Sequence, residues 1–282
     1  MTHHKLDMGK AWTQATGLIG ANRDTIGAIA GLFFFLPSFA ASLLVPELST
    51  GPQGGPQGSD PQAAMQAMMD QVSALYLDNW PLILVIFVAQ FIGSLSLFAL
   101  LSDRGNPTVA EALGTGVKSL PSYIAAQLLS VAGITFILAA TTGAIGAFAP
   151  PAIAVLVAVA AILVAIWLFI RMSLITPVIT IDGQRNPITA IARSWRLTKG
   201  NSLRILAFMV LLIITIGIIS LLVSAILTLM LSAFGGLVAS IGSGLVSAFV
   251  NSVTSVIFLV VIAAIHRQLS GGTPEGLAAT FE

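Results

Sequence analysis

The chain contains no cysteine, and only 8% of its 282 residues are charged. The lack of cysteine excludes disulfide bonds, a thiolate nucleophile and a zinc site built from cysteine ligands. Soluble globular domains carry about 25% charged residues, so a compact soluble domain of this composition would lack the charge to cover its surface. The formal net charge of only +1 also excludes a general electrostatic attraction to nucleic acid.

The few charged residues leave long segments of the chain without any charge. Four of them contain no Asp, Glu, Lys or Arg, namely residues 25–46, 79–102, 119–170 and 205–265. A helix needs about 20 apolar residues to cross the hydrocarbon core of a bilayer. The two shorter segments therefore hold one span each, and the two longer segments hold two each. The sequence predicts an all-α membrane protein, a single membrane domain over residues 1–282, whose six-helix bundle retains its first span.

The basic residues predict the orientation of these spans. With six spans, all twelve Lys and Arg residues fall on one side of the membrane, and the opposite long loop, residues 47–78, carries only acidic charge. The positive-inside rule then places both termini in the cytoplasm. The cationic residues are Lys5, Lys10, Arg23, Arg104, Lys118, Arg171, Arg185, Arg193, Arg196, Lys199, Arg204 and Arg267.

An internal repeat accompanies the six spans. The motif Asn-Pro-Thr-Val-Ala-Glu-Ala at 106–112 returns as Asn-Pro-Ile-Thr-Ala-Ile-Ala at 186–192. In both copies Asn is suited to cap a helix and Pro to occupy its first turn. A weaker copy precedes the first span, with Asp7 as its cap and Trp12 in the place of Trp195. We expect three units, each an interfacial amphipathic helix followed by two spans, over residues 6–102, 106–181 and 186–267.

The helix after Asn186 is the main candidate for a contact with lipid. Ile188, Ile191 and Trp195 fall on one face at helical spacing, and basic residues lie on the other. Such a helix can lie in the headgroup layer, although a packed elbow between spans has the same pattern. The candidate lipid-phosphate or interface residues are Arg171, Arg193, Trp195, Arg196, Lys199, Arg204 and Trp12.

Arg171 is expected to lie deeper than an ordinary loop cation. It ends the uncharged part of the fourth span, and the chain continues without charge as far as Ile181, with Pro177 expected to bend or stop the helix. A deep Arg171 would pair with Asp182 or Asp103, or bind a lipid phosphate. Snorkelling to the membrane interface is the interpretation that we favour.

The external loop has two parts. Residues 49–62 are rich in Gly, Pro and Gln and are expected to be disordered, and an amphipathic helix follows. The thioethers of its methionines could bind a soft metal such as Cu(I), but we favour an apolar face that contacts membrane or protein. The residues on this face are Met65, Met68, Met69, Val72 and Tyr76.

The sequence carries no convincing catalytic or metal constellation. No ionisable side chain lies deep in a span, which argues against a proton-coupled pump. Phosphate-binding loops and hydrolase motifs are absent. The chain is therefore expected to be no enzyme, with no cofactor and no metal, and His266 is expected to be solvated at a span end.

Polar and small residues within the spans complete the candidate sites. Gln90, Gln127 and Asn251 are expected to form hydrogen bonds between helices, and the alternative is that they line a cavity. The glycines at 143, 146, 242 and 244 are expected at close helix approaches or turns.

Two segments carry a recognisable motif, Arg-Met-Ser-Leu-Ile-Thr-Pro-Val-Ile-Thr-Ile-Asp-Gly at 171–183 and Ala-Arg-Ser-Trp-Arg-Leu-Thr-Lys-Gly-Asn at 192–201, followed by Arg204. With them the chain resembles the YciC-like membrane proteins, which are similar to the membrane domain attached to some bacterial glycerophosphoryl diester phosphodiesterases. The resemblance implies a six-span bacterial inner-membrane protein with a role in the envelope. It implies no phosphodiesterase activity, since the catalytic domain of those relatives is not in this sequence.

These observations lead to two functional hypotheses. The first is a non-catalytic inner-membrane protein that organises envelope lipids or protein partners through basic interfacial helices, with anionic headgroups as its partners and no nucleic acid. The second is a transporter or channel for a neutral or amphipathic solute, with Gln90, Gln127 and Asn251 along its path.

Overall fold

The computed structural model describes residues 5–47, 61–102, 107–146 and 150–271, and within these residues every regular element is a helix. The Gly/Pro/Gln-rich part of the external loop therefore falls almost wholly outside the described residues. The helices are α1 Met8–Ala21, α2 Arg23–Ala30, a π-helical segment Gly31–Phe35, α3 Leu36–Leu44, α4 Pro61–Asp78, α5 Trp80–Leu100, α6 Val109–Gly146, α7 Pro151–Met172, α8 Ile175–Thr180, α9 Pro187–Thr198, α10 Ser202–Ser232 and α11 Gly236–Ser270.

Six helical segments are long and apolar enough to cross a membrane, so the predicted all-α, six-span class is confirmed. Their mean hydropathies run from 1.9 to 3.0. Most of their large apolar side chains face outward, as expected for helices whose solvent is lipid. This is the architecture of a multi-pass membrane protein. The segments are Arg23–Leu44, Trp80–Leu100, Val109–Ala140, Val155–Thr180, Ser202–Ser232 and Gly236–Ser270.

The chain divides into two compact units. Unit 1 comprises Met1–Asn22, Leu95–Ile213 and Phe258–Glu282, and unit 2 comprises Arg23–Ser94 and Ile214–Ile257. In unit 1, α9 packs against α6, α7 and α8. The three-fold repeat predicted from the sequence stays a prediction, because the division into units follows packing rather than the repeat boundaries.

The helix starts predicted for α1 and α9, and the stop predicted for α9, are confirmed. Asp7 caps α1, since its Oδ1 accepts a hydrogen bond from the backbone N–H of Lys10 at 3.0 Å. Asn186 caps α9 by accepting from the N–H of Ile188, also at 3.0 Å, with Pro187 in the first turn. The chain leaves α9 through Gly200, whose φ of +84° favours glycine.

The middle copy of the repeat differs from the other two. Asn106, its expected cap, lies outside the described residues, and Thr108 and Glu111 instead exchange hydrogen bonds as a capping box. No separate interfacial helix follows, because α6 runs unbroken from Val109 to Gly146. Its Gly114 and Gly116 keep helical backbone angles, so nothing ends the helix where Gly200 ends α9.

Helix α8 is the most buried element of unit 1. The backbone breaks at Ser173 and Leu174, just ahead of Pro177, so the predicted interruption of the fourth span is confirmed. The short helix that follows buries five of its six residues, which makes it a core segment rather than a simple continuation of the span. These residues are Ile175, Pro177, Val178, Ile179 and Thr180.

Glycine allows close helix approach within unit 2. A Cβ at Gly244 would lie 2.5 Å from Ser42 Oγ, and one at Gly242 would lie 2.7 Å from a methyl of Leu231, so both predicted approaches are confirmed. Gly143 has no such neighbour, and the surroundings of Gly146 are outside what is described. The tightest approach that no sequence pattern indicated is at Gly93, against Phe33.

Candidate functional site

A charged cluster joins three elements of unit 1. Asp182 lies in the turn after α8, and its Oδ2 accepts a hydrogen bond from Nε of Arg193 on α9. The same oxygen lies 3.3 Å from Nε2 of His266 on α11, whose side chain is 1% exposed. The expectation that His266 is solvated is therefore wrong, because the packing of α11 buries its ring beside a carboxylate.

The electrostatics of this cluster favour the ionised carboxylate. Burial acts to raise the pKa of Asp182, but the hydrogen bonds and positive charge supplied by His266 and Arg193 outweigh that effect and lower the pKa overall. Asp182 therefore remains an anion that accepts a hydrogen bond from Arg193 and faces the His266 ring. Arg193, a predicted lipid ligand, is engaged in this pair.

Arg171 is held by aromatic rings rather than by an acid. Its guanidinium lies 5.0 Å from the ring centroid of Trp167 and 5.3 Å from that of Trp195, and Nη1 donates to the Trp195 carbonyl at 3.0 Å. Ser194 Oγ in turn donates to the Arg171 carbonyl at 2.8 Å. Arg171 does not pair with Asp182, one of the two acids considered for it, and Asp103 lies outside the described residues. Cation–π contact and a backbone carbonyl take the place of the acid.

Arg204 is also bound within the protein. Its Nη1 donates to the Leu6 carbonyl at 3.4 Å, while Asn201 accepts from the Leu6 N–H at 3.0 Å. A pair of 3.2 Å hydrogen bonds further joins Asp7 to Gln268. These contacts fix the segment ahead of α1, so three of the predicted lipid ligands, Arg171, Arg193 and Arg204, have structural partners.

The outward face of α9 differs from the predicted one. Ala190, Ser194 and Thr198 form the buried face, whereas Ile188 is 68% exposed, so the stripe of Ile188, Ile191 and Trp195 is not the packed side. The small side chains on the buried face let the backbone approach its neighbours. The exposed residues follow one side of the segment and combine cationic and apolar character: Arg185, Ile188, Ala192, Arg196, Lys199 and Leu203. We call this set the outer basic face.

Two further interface candidates lie in exposed positions. Trp12 is 45% exposed on α1, whose Ala11 and Ala15 are buried instead. The α4 residues Met65, Met68 and Met69 are each more than half exposed. Whether lipid or protein covers these side chains stays a prediction.

An uncharged cavity of about 440 Å³ lies within unit 2. It brings together Gln90 of α5 and Asn251 of α11, and Asn251 Nδ2 donates to Ser38 Oγ at 3.1 Å. Asn251 thus makes the predicted hydrogen bond between helices and also lines a cavity. Gln127 is exposed on α6 and takes no part in it.

The sequence offered only weak signals for these two sites. Asp182 and Arg193 are opposite charges 11 residues apart in a chain with few charges, but nothing local connects them to His266. The serines at 38 and 42, and Ser247 with Asn251, each recur at a spacing of four, which places each pair on one side of a helix. That spacing could have identified the cavity.

A family model described as a domain of unknown function, DUF7847, matches residues 108–269. The chain belongs to this family. The matched region runs from the cap of α6 into the last turn of α11, so it contains the whole charged cluster and both tryptophans around Arg171. No curated protein and no solved structure matches the chain. The resemblance to the YciC-like proteins stays a prediction.

Proposed function

We propose that the protein is a non-catalytic component of the bacterial inner membrane that organises anionic lipids through its outer basic face. The resemblance to the YciC-like envelope proteins motivates the setting, and the distribution of Lys and Arg predicts that both termini are in the cytoplasm. The observation that carries the proposal is the exposure of Arg196 and Lys199 beside the exposed apolar residues Ile188 and Leu203.

The anchoring of α9 supports this role. Arg193 is tied to Asp182 on one side, and Ser194 is hydrogen-bonded to the Arg171 carbonyl on the other. These contacts hold the helix in one orientation. Its cationic side chains therefore lose less conformational entropy on binding lipid phosphates than those of a mobile segment would. Each Lys or Arg near an anionic membrane surface contributes about 1 kcal/mol, so three would contribute about 3 kcal/mol.

A triple substitution tests this proposal. We expect Arg185→Gln with Arg196→Gln and Lys199→Gln to lower the ratio of phosphatidylglycerol to phosphatidylethanolamine that co-purifies with the protein several-fold, measured by lipid mass spectrometry after mild detergent extraction. Arg193 is left unchanged because its replacement would also break the ion pair.

The matched control removes three exposed cations elsewhere, Lys5, Lys10 and Lys118, each replaced by Gln. It changes the net charge by the same amount and should retain the original lipid ratio. Equal losses in the two triple variants would indicate general charge attraction, and no loss in either would contradict the proposal.

The cavity of unit 2 favours the second candidate, a transporter or channel for a neutral or amphipathic solute. Its polar lining carries no Lys, Arg, Asp or Glu, which suits an uncharged molecule. Solute flux into vesicles containing the purified protein, compared with empty vesicles, tests this alternative.

A further inference from the structure

The cavity of unit 2 has the size of a small-molecule site. Its volume of about 440 Å³ falls within the roughly 300–1,000 Å³ typical of such sites, and it is partly open. Helices α3, α4, α5 and α11 all contribute to its wall. None of its lining residues belongs to the outer basic face, so the two sites are independent.

One part of the wall offers hydrogen-bonding groups without charge. Ser38 and Ser42 come from α3, Gln90 from α5, and Ser247 and Asn251 from α11. Within the described part of the chain, no group hydrogen-bonds the side-chain amide of Gln90. A hydrogen-bonding guest would give this half-buried amide the partner that the apolar surroundings do not supply.

The remaining wall is apolar. Ile83, Ile86 and Phe87 lie on the same side of α5 as Gln90, at spacings that place them along about two turns of the helix. A guest that fills this space needs an apolar body that runs along α5 and a polar head that reaches Gln90 and Asn251. A charged head would be desolvated without an opposing charge in the lining, which disfavours it.

We propose that this cavity binds a neutral membrane lipid, an uncharged amphipathic molecule with hydroxyl or ester groups in its head, of the diacylglycerol type. The head accepts and donates hydrogen bonds at Gln90, Asn251 and the neighbouring serines. The acyl chains leave through the open side along the apolar face of α5. Large exposed apolar residues on the neighbouring helices, among them Leu43 and Leu84, suit a guest that arrives from the bilayer.

Native mass spectrometry of the full chain in a non-ionic detergent tests this site with dioleoylglycerol as the probe. We expect one bound molecule per chain, and about tenfold weaker binding when Gln90→Leu and Asn251→Leu remove two hydrogen-bonding groups. Gln127→Leu removes an amide of the same type from a span outside the cavity and should leave binding unchanged. Ser247→Phe fills the cavity without removing either amide and should abolish binding. Thermal unfolding verifies that each variant is folded.

Two comparison ligands identify which part of the guest is recognised. Dioleoylphosphatidylglycerol has the same chains with a charged head, and glycerol has a related head without chains. The proposal is supported if only dioleoylglycerol binds in a manner that depends on Gln90 and Asn251. Equal binding of the charged lipid, Gln90-dependent binding of glycerol alone, or insensitivity to both cavity variants would overturn it.

Discussion

At the scale of single residues, Asp182 is the anion that Arg193 and His266 share. It accepts a hydrogen bond from Arg193 and faces His266, so one carboxylate links the turn after α8 to α9 and α11. The carboxyl side chain is 14% exposed and that of Arg193 is 37% exposed, so solvent screens the pair only in part. Removing one member of such a pair leaves the other without compensation, which costs more than the intact pair contributes.

We expect Asp182→Asn to destabilise the protein by about 1–3 kcal/mol, because Arg193 and His266 would then lose their anion. The expected loss of stability is smaller than the roughly 3–5 kcal/mol for breaking a fully buried pair, because Arg193 is partly solvated. Thermal unfolding in detergent at neutral pH measures the effect. Asp70→Asn, an exposed carboxyl on α4, is the control and should change the unfolding temperature little.

The pH dependence of the same variant gives a second measurement. The pKa of Asp182 is lowered in the folded protein, so its stabilising contribution is complete above its ordinary value of 3.8 and is lost as the pH falls through the lowered value. The difference in stability between the wild type and Asp182→Asn should therefore shrink as the pH falls below about 4. A difference that persists unchanged into strong acid would contradict this assignment.

At the scale of elements, the close approach at Gly93 determines how α5 packs in unit 2. A Cβ there would lie 2.5 Å from Phe33 Cβ, an atom next to the backbone that no rotamer change can move away. Small residues commonly allow such approaches between membrane helices. The approach was not evident from the sequence, because its partner lies in a different span.

We expect Gly93→Ala to destabilise the protein by about 1–3 kcal/mol, since the helices must separate to admit the methyl group. Gly133→Ala is the matched control, since this glycine also lies inside a spanning helix but has no neighbour within 4 Å of an added Cβ. Because Ala is the better helix former, the control should be neutral or slightly stabilising. Similar unfolding temperatures for the two variants would show that the approach is not a constraint.

Local sequence signals identified the caps of the helices but not every helix boundary. The caps Asp7 and Asn186 were predicted correctly because a cap acts within its own first turn. The separate interfacial helix predicted for the middle copy of the repeat is absent from this described region, where α6 is continuous. Two glycines in α6 keep helical backbone angles, so the helix does not stop after them. Pro177 indicated the interruption ahead of α8, but no local signal showed that the short helix after it is buried in the core.

At the scale of the whole molecule, the absence of cysteine provides a direct test of orientation. Single cysteines introduced at the exposed positions Thr13, Ser73 and Thr189 would each be a unique target for a maleimide reagent. If the basic segments face the cytoplasm, an impermeant maleimide added to intact cells should label Ser73→Cys alone. Thr13→Cys and Thr189→Cys should react only after the cells are permeabilised. Labelling of Thr189→Cys in intact cells would reverse the orientation and remove the basis for a cytoplasmic lipid contact.

The sequence by itself determined the membrane class, the six spans, the starts of α1 and α9, and the end of α9. Hydrophobicity, capping and helix stops act over neighbouring residues, so they can be recognised without a fold. Only the tertiary structure decided that Arg193 and His266 share Asp182 and that Arg171 contacts two tryptophans. It also decided that Gln90 and Asn251 line one cavity while Gln127 does not. A side chain's partner depends on which distant helices pack together, and composition and spacing carry little information about that choice.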